Sequence, residues 1–243
     1  MAAEAWALGA VGVEELEGAI RVAFADHDRA RVARNQLAPT APVETVDDDL
    51  WLGRERDRME TVEAGRFVVH PPWAPAPTRG IALSIDPGTA FGSGSHPSTR
   101  LALELLGRID LRDATVVDIG CGSGVLSIAA ARLGATVHAL DTDPAAVSAT
   151  NANAAANAVT DAITVELGSV ARLDRASSAD VLVVNVTIDV HETLARLVPW
   201  PPRVVVASGF LRGAQVERCE AAWARPTTDR VFDGEWVALT LGP

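Results

Sequence analysis

The hydrophobic pattern changes character once along the chain. From about Leu83 onward, short apolar runs bounded by turn residues alternate with segments of helical period, the signature of a doubly wound α/β sheet. "ATVVDIG" reads as a buried strand, and "GVLSIAAARLG" as a helix ended by Gly134. "ATVHALD" is the next strand; the helix "DPAAVSATNANAAANA" comes after it, with Asp143 as N-cap and Pro144 at its first position. "AITVEL", "ADVLVVNV" and "RVVVASGF" are further strands, "RGAQVERCEAAWA" a further helix, and "TDRVFDGEWVALTL" a closing hairpin about Asp233-Gly234.

Upstream the pattern is weaker. Residues 1–66 read as a small N-terminal α+β region. "EAWALGAVGVEELEG" is a helix end turning through glycines into a strand, "AIRVAFA" a strand and "DHDRARVARNQL" a short helix before the Pro- and acid-rich "APTAPVETVDDD". A region of this size with few large apolar side chains is marginal alone, so it is expected to lean on the larger domain downstream. Residues 67–82 read as a connection and residues 83–243 as the main domain.

Composition narrows the chemistry. All 21 basic residues are Arg, and the chain has neither Lys nor Tyr, which excludes catalytic lysines and tyrosines. The two cysteines, Cys121 and Cys219, are too few for a disulfide framework or a zinc cluster and fit a reducing cytoplasm. A net charge of −11 weighs against direct nucleic-acid binding and favours a basic partner, or serves solubility alone. No apolar run is long enough to span a membrane, and the N-terminus lacks the basic start of a signal peptide.

The first strand of the main domain runs into "VVDIGCGSGVL". Gly120, Gly122 and Gly124 have G-x-G-x-G spacing, and Val125 stands where a dinucleotide fingerprint needs glycine. Such a turn suits a flat, weakly charged ligand pressed against backbone, which describes S-adenosylmethionine better than a diphosphate. Asp118 either holds the turn by accepting backbone N–H bonds or faces a ligand amine. Asp141, 21 residues after Gly120, ends the next strand, where a carboxylate accepts both ribose hydroxyls of an adenosine ligand. Asp143 supplies the helix cap, which leaves Asp141 free. Asn185 closes the apolar run "VLVVN" with an uncharged acceptor and donor, either to orient an attacking amine or to cap the strand. "NVTI" here lacks the Pro-Pro-aromatic continuation of nucleobase amine methyltransferases, which counts against a flipped-base substrate.

"DPGTAFGSGSHPSTR", residues 86–100, has the composition of a linker but also carries Phe91 and His96. It reads as a lid that folds over the ligand on the glycine turn and also meets the incoming substrate, with Phe91 as a ring contact, Gly94 and His96 as substrate-side candidates and Thr99 opening the helix "STRLALELLG". His96 is either a general base or a structural hydrogen bonder. The tryptophans read as core and domain-contact residues, with Trp51 and Trp73 as candidates for substrate contact.

Taken together, "DPGTAFGSGSHPSTR", "VVDIGCGSGVLSIAAARLGA", "ALDTDP", "DVLVVNV" and "EWVALTL" resemble the PrmA family of ribosomal protein methyltransferases over nearly all of residues 83–243, and more weakly upstream. The resemblance implies a seven-stranded Rossmann-like catalytic sheet, S-adenosylmethionine as cofactor, and N-methylation of lysine ε-amines and an α-amine on a ribosomal protein. It places cofactor contacts at Thr99, Gly120, Asp141 and Asn185, with Phe91, Gly94 and His96 matching the family's loop. The N-terminal region is shorter than that family's ferredoxin-like recognition domain. The sequence after Asn185, "VTIDVHE", brings Asp189, His191 and Glu192 where the family has a small apolar run; these either face solvent or reshape the acceptor pocket. Two other readings stay open: a small-molecule methyltransferase that kept the catalytic domain, and a non-catalytic cofactor-binding protein.

Overall fold

The computed structural model describes residues 4–5, 8, 10–16, 19–24, 27–45, 59–88, 92–173 and 178–242. These fall into two compact units, Met1–Glu55 and Arg56–Pro243. Phe91, Trp6 and Trp51 lie outside the described residues.

In the first unit, strand β1 (Ala10–Leu16) pairs antiparallel with β2 (Ala19–Phe24), with an irregularity between Ala10 and Gly12. Helix α1 (His27–Leu37) comes next, with Asp28 in its first turn and Arg34 in its last, both complementing the helix dipole.

The second unit begins with a three-stranded sheet. Strands β3 (Val62–Ala64) and β4 (Phe67–His70) form a hairpin about Gly65, whose φ of 59° suits glycine, and β5 (Ile81–Ser84) runs parallel to β4. The stretch read as a connection thus contains β4, a strand buried along its whole length.

Helix α2 (Pro97–Leu106) leads into the main sheet, in which β6 (Thr115–Ile119), α3 (Val125–Arg132), β7 (Thr136–Asp141), α4 (Pro144–Ala156) and β8 (Ile163–Leu167) wind one way. Strand β9 (Val181–Asn185), α5 (Ile188–Leu197), β10 (Val204–Leu211) and α6 (Ala214–Trp223) wind the other, and β11 (Thr227–Asp233) with β12 (Trp236–Leu241) closes the edge as an antiparallel hairpin. The seven strands lie in the order β11-β12-β10-β9-β6-β7-β8. The order reverses between β6 and β9, the place where open α/β sheets bind ligands.

Alternate side chains of one strand enter two separate cores. Val116 and Val183 pack on the face covered by α2 and α3, whereas Val117, Leu182 and Val184 pack with Ile188 and Leu194 of α5 and with Trp223 of α6. Both faces are therefore dry, which is why these strands read as unbroken Val/Ile/Leu runs.

Candidate active site

Gly120, Gly122 and Gly124 all take left-handed φ values, 77°, 56° and 81°, so the turn after β6 needs glycine at alternate positions. A Cβ on Gly124 would lie 2.7 Å from Thr150 Cγ2 of α4, whereas one on Gly120 would meet only Val186, at 3.2 Å. Four of the turn's N–H groups are spent inside the protein. Those of Gly120 and Cys121 donate to the Leu140 carbonyl, that of Gly122 to Asp141 Oδ2 and that of Gly124 to the Cys121 carbonyl. Committed in this way they do not form the open nest that a diphosphate requires.

Asp141 ends β7, with Oδ2 2.9 Å from Gly122 N and Oδ1 3.0 Å from Asp143 N. Although Asp143 supplies the helix cap, Asp141 is therefore not free but braces the turn. Each oxygen keeps a second acceptor position for a ligand hydroxyl. Asp143 caps α4 as expected, accepting from Ala145 N at 2.8 Å.

Asp118 bonds neither the glycine turn nor an exposed site. It is buried, and its Oδ2 accepts from Ser127 Oγ at 2.5 Å, in the first turn of α3. Burial, reinforced by the nearby Asp141 charge, pushes its carboxyl up to about 7.

Asn185 ends β9 and donates through Nδ2 to Thr99 Oγ1 at 3.3 Å, while its Oδ1 is buried without a hydrogen-bond partner. Thr99 does not open α2. The N-cap is His96, whose Nδ1 accepts from Ser98 N at 3.3 Å and lies 2.7 Å from Ser98 Oγ, with Pro97 at the first helical position. Thr99, in the first turn, is buried against the strand end instead. The His96 ring stands edge-on to Trp236 at 4.6 Å, and burial, with Arg100 adding, lowers its pKa to about 4.

The loop meets the glycine turn at Gly92 rather than Gly94. Ser123 Oγ donates to the Gly92 carbonyl at 2.5 Å, whereas a Cβ on Gly94 would strike Val69 of β4 at 2.7 Å. Asp189 and Glu192 face solvent and pair with Arg218, but His191 is fully buried, contrary to the solvent-facing alternative. Trp200 and Trp223 are buried and Trp73 is half exposed.

Two residues that the sequence motifs did not single out complete the frame. Asn153 of α4 donates through Nδ2 to the carbonyls of both Asp86 and Ser123, at 2.9 Å each, joining the loop's root to the glycine turn. Ser208 of β10 lies beside Asn185 in register and donates through Oγ to the Ser98 carbonyl at 2.9 Å. Asn153 lies in an Ala-rich tract and Ser208 precedes a strand glycine, which is the visible trace each left in the sequence.

The family model described as Ribosomal protein L11 methyltransferase (PrmA) matches residues 16–241. The chain belongs to the PrmA family. A ribosomal protein L11 methyltransferase of Herpetosiphon aurantiacus is 34% identical over 227 residues, 82% of this chain and 70% of that protein. One of Laribacter hongkongensis is 38% identical over 210 residues, 83% of this chain and 69% of that protein. The crystal structure of a ribosomal protein L11 methylase from Lactobacillus delbrueckii subsp. bulgaricus matches with TM-score 0.64 at 27% identity, over 73% of this chain and 94% of that one. As a PrmA family member with this sheet, the chain is an S-adenosylmethionine-dependent methyltransferase. The residues fit the cofactor: a glycine turn with four of its N–H groups committed, which suits a diphosphate poorly, and spare acceptors on Asp141.

Proposed function

We propose that this chain methylates amino groups of ribosomal protein L11, lysine ε-amines, an α-amine or both, with Asn185 as the group that receives the amine. The single observation that carries the reading is the buried, unpartnered Oδ1 of Asn185 at the carboxyl edge of β9. A buried acceptor left unsatisfied costs about 1–3 kcal/mol, and an incoming N–H removes that cost.

When bound, S-adenosylmethionine supplies an electrophilic methyl on a sulfonium whose departure leaves a neutral thioether. The chain's residues therefore bind and orient rather than move charge. Asp141 and the glycine turn hold the adenosine end. Asn185, fixed by its own bond to Thr99, turns a carbonyl oxygen toward the amine. The amine must arrive neutral, and desolvation beside uncharged Asn185 and Thr99 lowers a lysine from its ordinary value near 10.4. His96 serves as cap and wall. Its Nδ1 is engaged with Ser98, and a ring held near 4 is a weak base. The net charge of −11 attracts a basic substrate at long range.

Purified protein, labelled S-adenosylmethionine and L11 test the reading, with mass spectrometry to find the methylated residues. Label in L11 at amino groups supports it. Label only in small amines, with none in L11, overturns the substrate in favour of a small-molecule methyltransferase.

A further inference from the structure

His191 is a fully buried histidine on α5, which packs on the opposite face of the sheet from α2. Trp223 Nε1 lies 3.3 Å from its Nδ1. An indole N–H only donates, so Nδ1 carries the lone pair and Nε2 the hydrogen. Nε2 donates to the Ser208 carbonyl at 2.9 Å. Burial lowers the ring's pKa to about 4, which keeps this neutral form through the physiological range.

The same Ser208 carbonyl also accepts the N–H of Val186, at 3.0 Å, so both its lone pairs are used. Ser208 sits where β10 loses register with β12, between Ala207 and Phe210, and Gly209 comes next with φ 95°. A Cβ on Gly209 would lie 2.4 Å from the Val186 carbonyl, so the two backbones touch here. Ser208 faces both ways: its carbonyl is held by α5, and its hydroxyl holds the Ser98 carbonyl in the first turn of α2.

We propose that His191 is a positioning residue for methyl transfer: by fixing the Ser208 carbonyl against Val186, it sets the end of β9 that carries Asn185 relative to Thr99. It touches neither cofactor nor acceptor. Without its N–H the Ser208 carbonyl is held by Val186 alone, and the irregular segment of β10 loses its tether to α5. The proposal rests on the reading of Asn185 as the amine-receiving group.

Wild type, His191→Leu and His191→Gln are compared well below their melting midpoints, reading S-adenosylhomocysteine affinity by calorimetry and kcat and KM with L11. His191→Leu is expected to lower kcat roughly 10-fold or more and to weaken S-adenosylhomocysteine several-fold, with KM for L11 changed by less than about twofold. His191→Gln keeps an N–H donor and is expected to restore kcat to within about threefold of wild type. A His191→Leu enzyme within about twofold of wild type in both kcat and cofactor affinity overturns the proposal, as does a Gln variant as impaired as Leu. Should His191→Leu not fold, the nitrogen-15 spectrum of wild-type His191 decides: a protected Nε2–H is required, and an Nδ1–H tautomer overturns it. If wild type leaves L11 unmethylated, the substrate reading fails, while the affinity arm still judges His191.

Discussion

Asn185 and Thr99, 86 residues apart in sequence, meet through a 3.3 Å hydrogen bond in which the amide donates to the hydroxyl. The bond fixes which way the amide faces, because its nitrogen is committed to Thr99 and its oxygen is left over. Asn185→Asp keeps the shape but removes the donor and adds charge. We expect kcat with L11 to fall about 100-fold or more, measured by methyl transfer under saturating cofactor. Thr99→Val is expected to lower kcat in the same assay by less, since Asn185 itself remains.

Asp141→Ala removes the acceptor for two backbone N–H groups and, on the proposed reading, for the ribose. Charge-assisted hydrogen bonds contribute about 1.5–3 kcal/mol each, so S-adenosylhomocysteine should bind roughly 10- to 150-fold more weakly by calorimetry. Unchanged affinity would remove Asp141 from the cofactor site.

Gly124→Ala and Gly88→Ala separate crowding from backbone strain. Both positions have positive φ, 81° and 55°, but an added Cβ would be 2.7 Å from Thr150 at Gly124 and in open space at Gly88. The Gly88 variant should lose about 1 kcal/mol, the backbone cost alone, and the Gly124 variant distinctly more, in urea unfolding.

Asp118 gives stability a pH dependence of definite sign. Its folded value near 7 exceeds the ordinary 3.8, so the folded chain holds an extra proton between those values. That contribution is complete below about 4 and is lost as pH rises to 7, at up to about 1.4 kcal/mol per unit. Asp118→Asn should cancel it, so the variant gains on wild type between pH 5 and pH 8 in urea midpoints. An equal difference at both pH values would refute the assignment.

His96→Ala removes the cap of α2. A loss of about 1 kcal/mol in thermal unfolding is expected, with the shape of the kcat–pH profile unchanged. A lost limb in that profile would restore the general-base role.

The catalytic sheet was legible because covering both faces turns its strands into continuous apolar runs, and the glycines and Asp141 because a turn imposes fixed spacings. The helix cap at His96 was hidden: Ser98 and Thr99 are commoner caps, and Pro97 at the first helical position was the better marker. His191 was also hidden, although Ile188, His191 and Leu194 share one face at intervals of three, which places the histidine on the apolar side of α5. Asp118 could not be placed from sequence, since whether a carboxylate meets solvent or Ser127 depends on how α3 folds back on β6.

Asn153 of α4 and Asn157, the C-cap of that helix, have a consequence beyond the site. Asn157 accepts from Ser84 N and donates to its carbonyl, and Asn153 does the same for Asp86. Four residues of helix rise about 6 Å and two of strand about 6.6 Å, so the side-chain amides match the outward peptide groups of β5 and its extension. In effect the helix counterfeits a neighbouring strand. At Ser84 and Asp86 the groups that would invite another chain to zip on are already taken, so a misfolded copy finds no free backbone to pair with at those two positions.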